Sequence, residues 1–351
     1  MTAQSPDWTL KNEPVKLDTD VCPPDGPAKE ARKIDHIFKS REVHAINTAL
    51  AAGRPLLVRG EAGVGKSQLA RAAAKGLKRR FVSTTIDART EAQDLKWTFD
   101  AVRRLADAQL IGSSGFKFES DTEALEKRFT EAALDSTRKL LDERRYLSPG
   151  PLWWGFNWSG AATQAKEARA AFPPGEEDAK DAPSGVVVLL DEIDKAASSV
   201  PNGLLESLGS RRFTAPTGER VHCDAIPPLV VVTTNEERSL PDPFLRRCVV
   251  LHMHVPDDPA RLRAWLTERG RAHFTEDELS NAVLEDAATQ LVEDRAAAQQ
   301  RSLSPPGGAE YLDLLRALFF LRDSDAERQE LLQEIYKFTF QKHPRDPDPD
   351  E

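Results

Sequence analysis

The stretch Gly60-Glu61-Ala62-Gly63-Val64-Gly65-Lys66-Ser67 matches the phosphate-binding pattern G-x-x-x-x-G-K-[ST] at every fixed position. The short apolar run at residues 54–59 comes directly before it and is typical of a buried parallel strand. The alanine-rich stretch at residues 68–76 follows and predicts a helix that ends at a glycine. A chance glycine-rich turn would lack this flanking strand and helix. We therefore predict a nucleotide-binding site here.

The predicted loop has a defined chemistry. Its glycines allow backbone N–H groups to point inwards at the N-terminus of a helix, where the helix dipole favours negative charge. We expect Lys66 to reach the β- and γ-phosphates of a nucleotide and the Ser67 hydroxyl to bind Mg²⁺. The loop residues predicted to bind the nucleotide are Gly60, Glu61, Ala62, Gly63, Val64, Gly65, Lys66, Ser67 and Gln68.

Two adjacent carboxylates follow a second apolar run. Residues 185–190 predict a buried strand, with Asp191 and Glu192 at its carboxyl end, the edge of a parallel sheet where ligands bind. Adjacent acids alone are weak evidence, and the phosphate loop upstream is what assigns them a role. Asp191 is predicted to bind the nucleotide's Mg²⁺ through the metal's water shell. Glu192 is predicted to orient and polarise the attacking water.

Two further polar sites follow along the chain. Residues 229–234 predict a third buried strand that ends at Asn235, which we expect to orient the water or the γ-phosphate. Arg246 and Arg247 lie between a short helix and another strand. One interpretation of this arginine pair is that it only caps the C-terminus of the helix.

The composition describes a globular protein without a disulfide framework. The 351 residues carry a net charge of -9, which gives no general attraction to nucleic acid or to anionic membranes. Three widely spaced cysteines fit a reducing compartment and show no metal-binding spacing. The N-terminus lacks the features of a signal peptide, and no apolar run is long enough to span a bilayer. We therefore expect a cytoplasmic protein that binds no membrane.

The pattern along the chain predicts four segments. Residues 1–32 are predicted to be a flexible lead-in, and a helix is predicted from Lys33 to Ala51. The α/β core is expected to occupy residues 33–255, with a helical insert at 91–147 and a mobile loop at 160–184. From residue 256 to 340 the apolar spacing is purely helical. Residues 341–351 are predicted to be a disordered acidic tail.

Two groups of apolar residues have alternative interpretations. Ile34, His36 and Ile37 could flank an adenine ring or could belong to the core. The cluster Trp153, Trp154 and Trp158 could be a core plug, or it could contact a partner or a neighbouring subunit, because clustered aromatic residues are common at interfaces. The sequence alone does not decide between these interpretations.

The motifs occur in an order that resembles the AAA+ ATPases. The phosphate loop is followed by Leu189-Leu190-Asp191-Glu192, then by Thr233-Thr234-Asn235, then by Leu245-Arg246-Arg247. The stretch Gly150-Pro151-Leu152-Trp153 is similar to one in the MoxR-like and dynein-related branch of that family. The resemblance covers about residues 34–340. It implies a P-loop NTPase fold, with a three-layer αβα core around a parallel sheet, followed by a small all-α lid domain.

The resemblance also implies roles for individual residues. Asn235 matches the sensor 1 position, and Arg246 and Arg247 match arginine fingers that reach the γ-phosphate on a neighbouring subunit. The implied catalytic set is Glu192, Asn235, Arg246 and Arg247, with ATP and Mg²⁺ as cofactors. The family commonly forms homo-oligomeric rings, often hexamers, so an isolated monomer would be nearly inactive.

One stretch departs from the family pattern. Many members carry an arginine, sensor 2, at the start of a lid helix. The matching stretch here is Ser304-Pro305-Pro306-Gly307-Gly308-Ala309-Glu310, which has no basic residue at the helix start. Arg301 and Arg316 lie nearby, but neither has the expected position.

The resemblance leaves more than one function open. The leading hypothesis is an ATPase that remodels or activates a separate protein, such as a von Willebrand A domain protein or a protease or nuclease effector. The alternative is a nucleotide-operated switch or assembly module with little turnover, in a defence or restriction-type complex. The acidic net charge argues against direct action on nucleic acid. The preference for ATP over GTP comes from the resemblance alone.

Overall fold

The computed structural model describes residues 9–18, 33–113, 139–173, 185–223 and 226–340. The strands are β1 Val15–Asp18, β2 Lys33–His36, β3 Leu56–Arg59, β4 Arg80–Thr85, β5 Trp97–Phe99, β6 Leu147–Pro149, β7 Val186–Asp191, β8 Arg212–Thr214, β9 Arg220–His222, β10 Leu229–Thr234 and β11 Val249–His252. The helices are α1 Ser40–Ala52, α2 Lys66–Gly76, α3 Ala101–Ser113, α4 Pro151–Phe156, α5 Trp158–Ala168, α6 Ser199–Ser210, α7 Asp242–Leu245, α8 Pro259–His273, α9 Asn281–Gln300, α10 Gly308–Leu321 and α11 Asp325–Phe340.

A parallel sheet of five strands forms the centre, in the order β11-β3-β10-β7-β4. The predicted buried strands are all in it, and every residue of β10 is buried. The register sets Thr234 of β10 opposite Arg59 of β3, and Asp191 of β7 opposite Thr85 of β4. The carboxyl ends of β3, β7 and β10 therefore meet at one edge, as parallel strands require.

Alternating side chains of the sheet serve two separate cores. On one face, Leu56 and Val58 of β3 pack with residues of α1 and α2. On the other face, Leu57 of β3 and Val188 of β7 pack with residues of α4 and α6. This period of two is what a strand covered on both faces requires. The predicted three-layer αβα core is therefore confirmed.

The N-terminal part differs from the predicted flexible lead-in. Strand β1 pairs with β2 in antiparallel orientation, and Leu10 and Leu17 are buried. The backbone of Leu10 exchanges two hydrogen bonds with the Asn47 side chain, at 2.7 and 3.0 Å. The prediction of flexibility for residues 1–32 was therefore wrong for residues 9–18. Residues 1–8 and 19–32 lie outside the described residues.

The first helix starts later than the predicted Lys33. Residues 33–36 form β2, and α1 begins at Ser40. The Glu42 carboxylate accepts a hydrogen bond from Lys39 N at 2.9 Å, which satisfies a backbone group at the start of the helix. Periodicity alone predicted a longer helix because Ile37 and Val43 happen to continue the helical spacing.

The predicted helical insert is only partly described. Helix α3 lies within it, β5 and β6 pair at its base, and residues 114–138 lie outside the described residues. The predicted mobile loop at 160–184 was wrong for its first part, which belongs to α5. The buried Gln164 side chain donates to Arg144 O at 2.6 Å and Leu147 O at 2.7 Å, which fixes this helix on the insert. Residues 174–184 lie outside the described residues.

The tryptophan cluster belongs to the core. Trp153 and Trp154 of α4 are 0% and 3% exposed. Trp153 makes an edge contact with Phe213, and the half-buried Trp158 lies under the Arg80 guanidinium at 4.2 Å. The core interpretation is therefore correct for Trp153 and Trp154, and neither is available to a partner.

Helices α8 to α11 form a small all-α unit with its own core. Buried members of this core include Leu266, Leu284, Tyr311 and Leu332, one from each helix. This is the predicted lid. The predicted tail at 341–351 lies outside the described residues. Among the helices that the structure describes, none is long and apolar enough to cross a membrane.

Candidate nucleotide site

The phosphate loop, residues 60–67, has a backbone that needs its glycines. Gly60, Gly63 and Gly65 all have positive φ, at 155°, 74° and 101°. A side chain is strained in this region, and a Cβ at Gly60 would also collide with Met253 O. Gly65 then leads into α2, so the loop ends at a helix N-terminus. The local geometry therefore fits an anion cradle.

The Lys66 ammonium links the loop to the sheet. Its Nζ donates to Gly60 O at 2.8 Å, to Glu61 O at 2.8 Å and to Asn235 Oδ1 at 2.7 Å. Burial lowers the pKa of Lys66, and the nearby carboxylates, with Asp191 first among them, act in the opposite direction. The cation is thus held at the carboxyl edge of β10.

Ser67 and Asp191 bring hard oxygen atoms together. The Ser67 hydroxyl lies 2.9 and 2.8 Å from the two carboxylate oxygens of Asp191. Thr233 Oγ1 donates to Asp191 and accepts from Glu192 N at 2.9 Å. Oxygen ligands of this kind suit Mg²⁺, which is usually bound by one or two protein groups together with phosphates. The pair therefore fits the metal that the loop implies.

Asn235 connects the loop to the second acid. Its Nδ2 donates to Glu192 Oε1 at 3.2 Å while its Oδ1 accepts from Lys66. An amide can serve an ammonium and a carboxylate at once only in this orientation. Glu192 has a left-handed backbone with φ 61°. A residue with a Cβ adopts this conformation at a cost, which is common at functional sites. Lys66, Asn235 and Glu192 thus form one hydrogen-bonded row.

Two positioning residues were not predicted from the sequence. Asp194 is 2% exposed and accepts from Asn235 N at 3.4 Å and Glu237 N at 3.1 Å, so it holds the loop that carries Asn235. Thr233 is the other, through its contacts with Asp191 and Glu192. The available signal for Thr233 was the pair of hydroxyl side chains, Thr233 and Thr234, at the end of an otherwise apolar strand. For Asp194, the signal was a third acid close behind the first two.

Arg246 and Arg247 are not brought to this site. Both are exposed and precede β11, whose first residue bonds to Pro55 at the amino edge of the sheet. Strand β11 has four residues, so about 13 Å of strand separates the two edges. Arg247 Nη1 donates to Pro243 O at 3.3 Å within the preceding helix, as the capping interpretation predicts. Within one chain, neither arginine contacts the row described above.

Two adjoining cavities lie along the phosphate loop. The first, the loop cavity, measures about 260 Å³; Lys66, Ser67, Asp191, Glu192 and Asn235 are among the residues that line it. The second, the histidine cavity, measures about 300 Å³. Residues lining the histidine cavity include His36, Ile37, Gly65, His252, His254, Trp265 and Arg269.

His36 and Ile37 have the surroundings expected for a base-binding site. Both line the histidine cavity, and Ile37 is 58% exposed, so it is not a core residue. Burial, with a smaller effect of the Arg269 charge, lowers the pKa of His36 to about 4. Its Nε2 is buried without a hydrogen-bond partner among the described residues. The side chain of Ile34 lies outside the described residues.

The lid contacts the phosphate loop at three points. Arg269 of α8 donates from Nη1 to Val64 O at 2.9 Å. Arg295 of α9 pairs with Glu61 at 2.6 Å. Ala309 of α10 approaches Gly63. The two arginines were not predicted, because nothing in their local sequence distinguishes them from other charged residues of a helix.

Comparison with known proteins supports this assignment of motifs. The sequence matches the family described as AAA domain (dynein-related subfamily) over residues 55–248, which is more than half of the chain. No curated protein matches it. Among solved structures, a point mutant of RuvB from Thermotoga maritima is similar at 14% sequence identity and a TM-score of 0.36, covering 85% of this chain and 75% of that chain. The family match contains the phosphate loop, Asp191, Glu192, Asn235 and the two arginines.

Proposed function

The chain belongs to the dynein-related subfamily of AAA domains, and on that premise we propose that it hydrolyses ATP with Mg²⁺ in a MoxR-like homo-oligomeric ring. The observation that carries the proposal is the row in which Asn235 joins Lys66 to Glu192. This row runs from the group expected to bind the γ-phosphate to the carboxylate expected to activate water.

Each residue of the proposed site has a distinct task. Lys66 would exchange its carbonyl acceptors for β- and γ-phosphate oxygens. Ser67 and Asp191 would hold Mg²⁺, which would neutralise charge on the phosphates. Glu192 would accept the proton of the attacking water, and Asn235 would fix that carboxylate and orient the water. Thr233 would keep Asp191 and Glu192 in position.

The proposed ring follows from the position of Arg246 and Arg247. They are exposed at the edge opposite their own site, so they would act on the nucleotide of a neighbouring copy. An arginine there stabilises charge on the transferring phosphoryl group, and its loss costs a factor of about 10³ or more. A hexamer is the ring size that we propose.

The work of the proposed ring would be done on another protein. Beyond the core and the lid, the described residues contain no further folded unit that could serve as an effector. We propose a separate cytoplasmic protein as the substrate, either a von Willebrand A domain protein or a protease or nuclease effector. Nucleic acid is not the proposed substrate, because the net charge of -9 opposes it.

A second candidate rests on the start of α10. It carries glycine and alanine where many relatives carry an arginine, which would weaken the coupling of the lid to hydrolysis. The chain would then be a nucleotide-operated switch or assembly module, in a defence or restriction-type complex, with little turnover.

Steady-state ATP hydrolysis per chain, measured against protein concentration, tests the proposal. We expect specific activity to rise with concentration as subunits associate. Glu192→Gln should lower hydrolysis at least about 100-fold while ATP binding is kept, because the amide cannot accept the proton. Glu237→Gln is the matched control: this exposed carboxylate pairs with Lys195 and lines neither cavity.

The outcomes separate the two candidates. Activity that rises with concentration and is lost only in Glu192→Gln supports the ATPase. Tight ATP binding with negligible hydrolysis at every concentration would instead support the switch. A wild-type chain that binds no ATP would refute both.

A further inference from the structure

The start of α10 packs too closely on the phosphate loop to carry a long side chain towards the nucleotide. A Cβ at Gly63 would lie 3.1 Å from both Cβ and N of Ala309. A Cβ at Gly307 would lie 3.2 Å from Ala62 O, and one at Gly308 would lie 3.2 Å from Gly63 O. Small residues therefore fit best on both sides of this contact. A positive charge on the lid is found instead on a different helix.

Arg269 of α8 is a cation in a suitable place. Its guanidinium lies over the Trp265 ring at 4.4 Å and donates from Nη1 to Val64 O at 2.9 Å. A Cβ added to Gly65 would be 2.7 Å from Nη2, so the guanidinium lies directly against the last glycine of the loop. Stacking on Trp265 and the hydrogen bond to Val64 O hold the plane of the guanidinium in one orientation.

The electrostatic surroundings keep this guanidinium available. Burial lowers the pKa of Arg269, whereas the carboxylates of Glu42 and Glu268 raise it. An arginine stays charged in such surroundings because its intrinsic pKa is above about 12. Within the described part of the chain, its hydrogen bond to Val64 O uses one of its five N–H donors. Nη2 is therefore free to bind an anion.

The two cavities meet at Arg269. Among the described residues, Gly65, Gln68 and Arg269 line both the loop cavity and the histidine cavity, and Arg269 is the lid residue of the three. A nucleotide with its base in the histidine cavity and its terminal phosphates at Lys66 would cross this junction with its ribose and α-phosphate. The charged part of that span is the α-phosphate.

We propose that Arg269 binds the α-phosphate of the nucleotide and so couples the lid to any bound nucleotide, whether or not a γ-phosphate is present. This inference rests on the proposed function of the same site. The guanidinium would bind an α-phosphate oxygen through Nη2 while Nη1 stays on Val64 O. Glu192 and Asn235, which mark the γ-phosphate end, line only the loop cavity, so the γ-phosphate lies beyond Arg269.

Binding of four ligands by calorimetry tests the proposal: ATP, ADP, AMP and adenosine, each without hydrolysis in the Glu192→Gln background. Arg269→Gln should lower the affinities for ATP, ADP and AMP by the same factor, about ten- to a hundredfold, because one charge-assisted hydrogen bond is lost. Adenosine should be unaffected, since it has no phosphate. Arg269→Lys should restore part of the affinity for the three phosphate-bearing ligands.

Arg263→Gln is the matched control. This exposed arginine lies on the same helix as Arg269 but lines neither cavity. It should leave the affinities for all four ligands unchanged. Lys66→Ala tests the phosphate site itself and should lower the affinity for ATP more than the affinities for the other three ligands.

Three results would overturn the proposal. A loss confined to ATP would make Arg269 a γ-phosphate sensor, and an equal loss for adenosine would make it a structural support of the histidine cavity. Unchanged affinities would show that it does not bind the nucleotide. If the parent protein bound no nucleotide at all, the proposed function would fail first, and that result is distinct from these three.

Discussion

A single hydroxyl group connects the two acids at the carboxyl end of β7, Asp191 and Glu192. Thr233 Oγ1 donates to Asp191 and accepts from the backbone N–H of Glu192 at 2.9 Å. Thr233 is fully buried, so no water can replace these bonds without a rearrangement. Glu192 follows with a left-handed backbone, which its neighbours have to hold in place. The positions of the Asp191 carboxylate and of the Glu192 backbone thus depend on the Thr233 hydroxyl.

Replacement of the Thr233 hydroxyl by a methyl group should distinguish its effect on the position of the two acids from its effect on the stability of the fold. In Thr233→Val we expect a loss of about 1–3 kcal/mol in the free energy of unfolding, because a part-buried carboxylate oxygen of Asp191 loses one of its donors and the part-buried N–H of Glu192 loses its acceptor. The rate of ATP hydrolysis should fall at least about tenfold, because a misplaced catalytic group lowers the rate, while ATP binding is largely kept. Urea unfolding, hydrolysis and binding are the measurements.

Thr234→Val is the matched control for that experiment. Thr234 is equally buried, but its hydroxyl accepts only from Glu236 N, at 2.9 Å. It should lose stability while keeping most of its hydrolysis. Equal losses of hydrolysis in the two variants would argue against a specific role for Thr233.

The central residues of the site were predictable because their chemistry is local. Lys66 and Ser67 belong to a contiguous motif, and Asp191 and Asn235 each end an apolar strand. Their convergence follows from the parallel register alone. Arg269 was not predictable, because its role depends on how helix α8 lies on the loop, and that is a property of tertiary packing.

At the scale of elements, the insert is attached to the core through Gly150. Gly150 N donates to Lys96 O at 2.9 Å, and Leu152 N donates to Leu95 O at 2.8 Å, so β6 and the start of α4 lie directly on the residues before β5. A Cβ at Gly150 would lie 2.5 Å from Asp94 O and 2.8 Å from Lys96 C. Both atoms are backbone atoms, which cannot move aside cheaply.

Two glycine-to-alanine substitutions should therefore have opposite effects. We expect Gly150→Ala to destabilise the protein by about 1–3 kcal/mol through overpacking. Gly209→Ala should stabilise it by up to about 1 kcal/mol, because Gly209 lies in α6 with no atom within 4 Å of its added Cβ. Urea unfolding of the two variants beside the wild type measures this. Equal effects would show that the contact at Gly150 is looser than the structure indicates.

Element types were predicted better than element boundaries. Strands β3, β7 and β10 are continuous apolar runs, and a run covered on both faces has few alternatives. Helix α1 begins seven residues after the predicted start at Lys33, since β2 pairs with β1. Most of helix α5 was predicted as a loop because this stretch has few apolar residues to anchor a helix. Its buried Gln164 anchors it instead, by hydrogen bonds to backbone carbonyls. Both errors arise where a distant contact overrides the local pattern.

At the scale of the whole molecule, the groups that we propose to act in catalysis lie on two opposite edges of one sheet. Lys66, Glu192 and Asn235 lie at the carboxyl edge, whereas Arg246 and Arg247 lie at the amino edge and are exposed. About 13 Å of strand separates the edges. If both groups act on one nucleotide, as proposed, the site would be completed by two copies of the chain. A ring would place the amino edge of one copy against the carboxyl edge of the next.

Mixing two inactive variants tests this claim most directly. Glu192→Gln keeps the arginines but lacks the water-activating carboxylate, while Arg246→Ala/Arg247→Ala keeps the carboxylate but lacks the arginines. Each alone should be inactive by a factor of about 100 or more. In a mixed ring, the acid of one variant faces the arginines of the other, so the interface between them is complete.

We predict that ATP hydrolysis returns when the two proteins are mixed and that it is highest near equal amounts. As a control, Glu237→Gln replaces either partner in the mixture. The activity of that mixture should equal the activity of the Glu237→Gln protein alone. If every mixture shows only the sum of the two residual activities, while both variants still associate with each other, the site is not shared between subunits and the account is wrong.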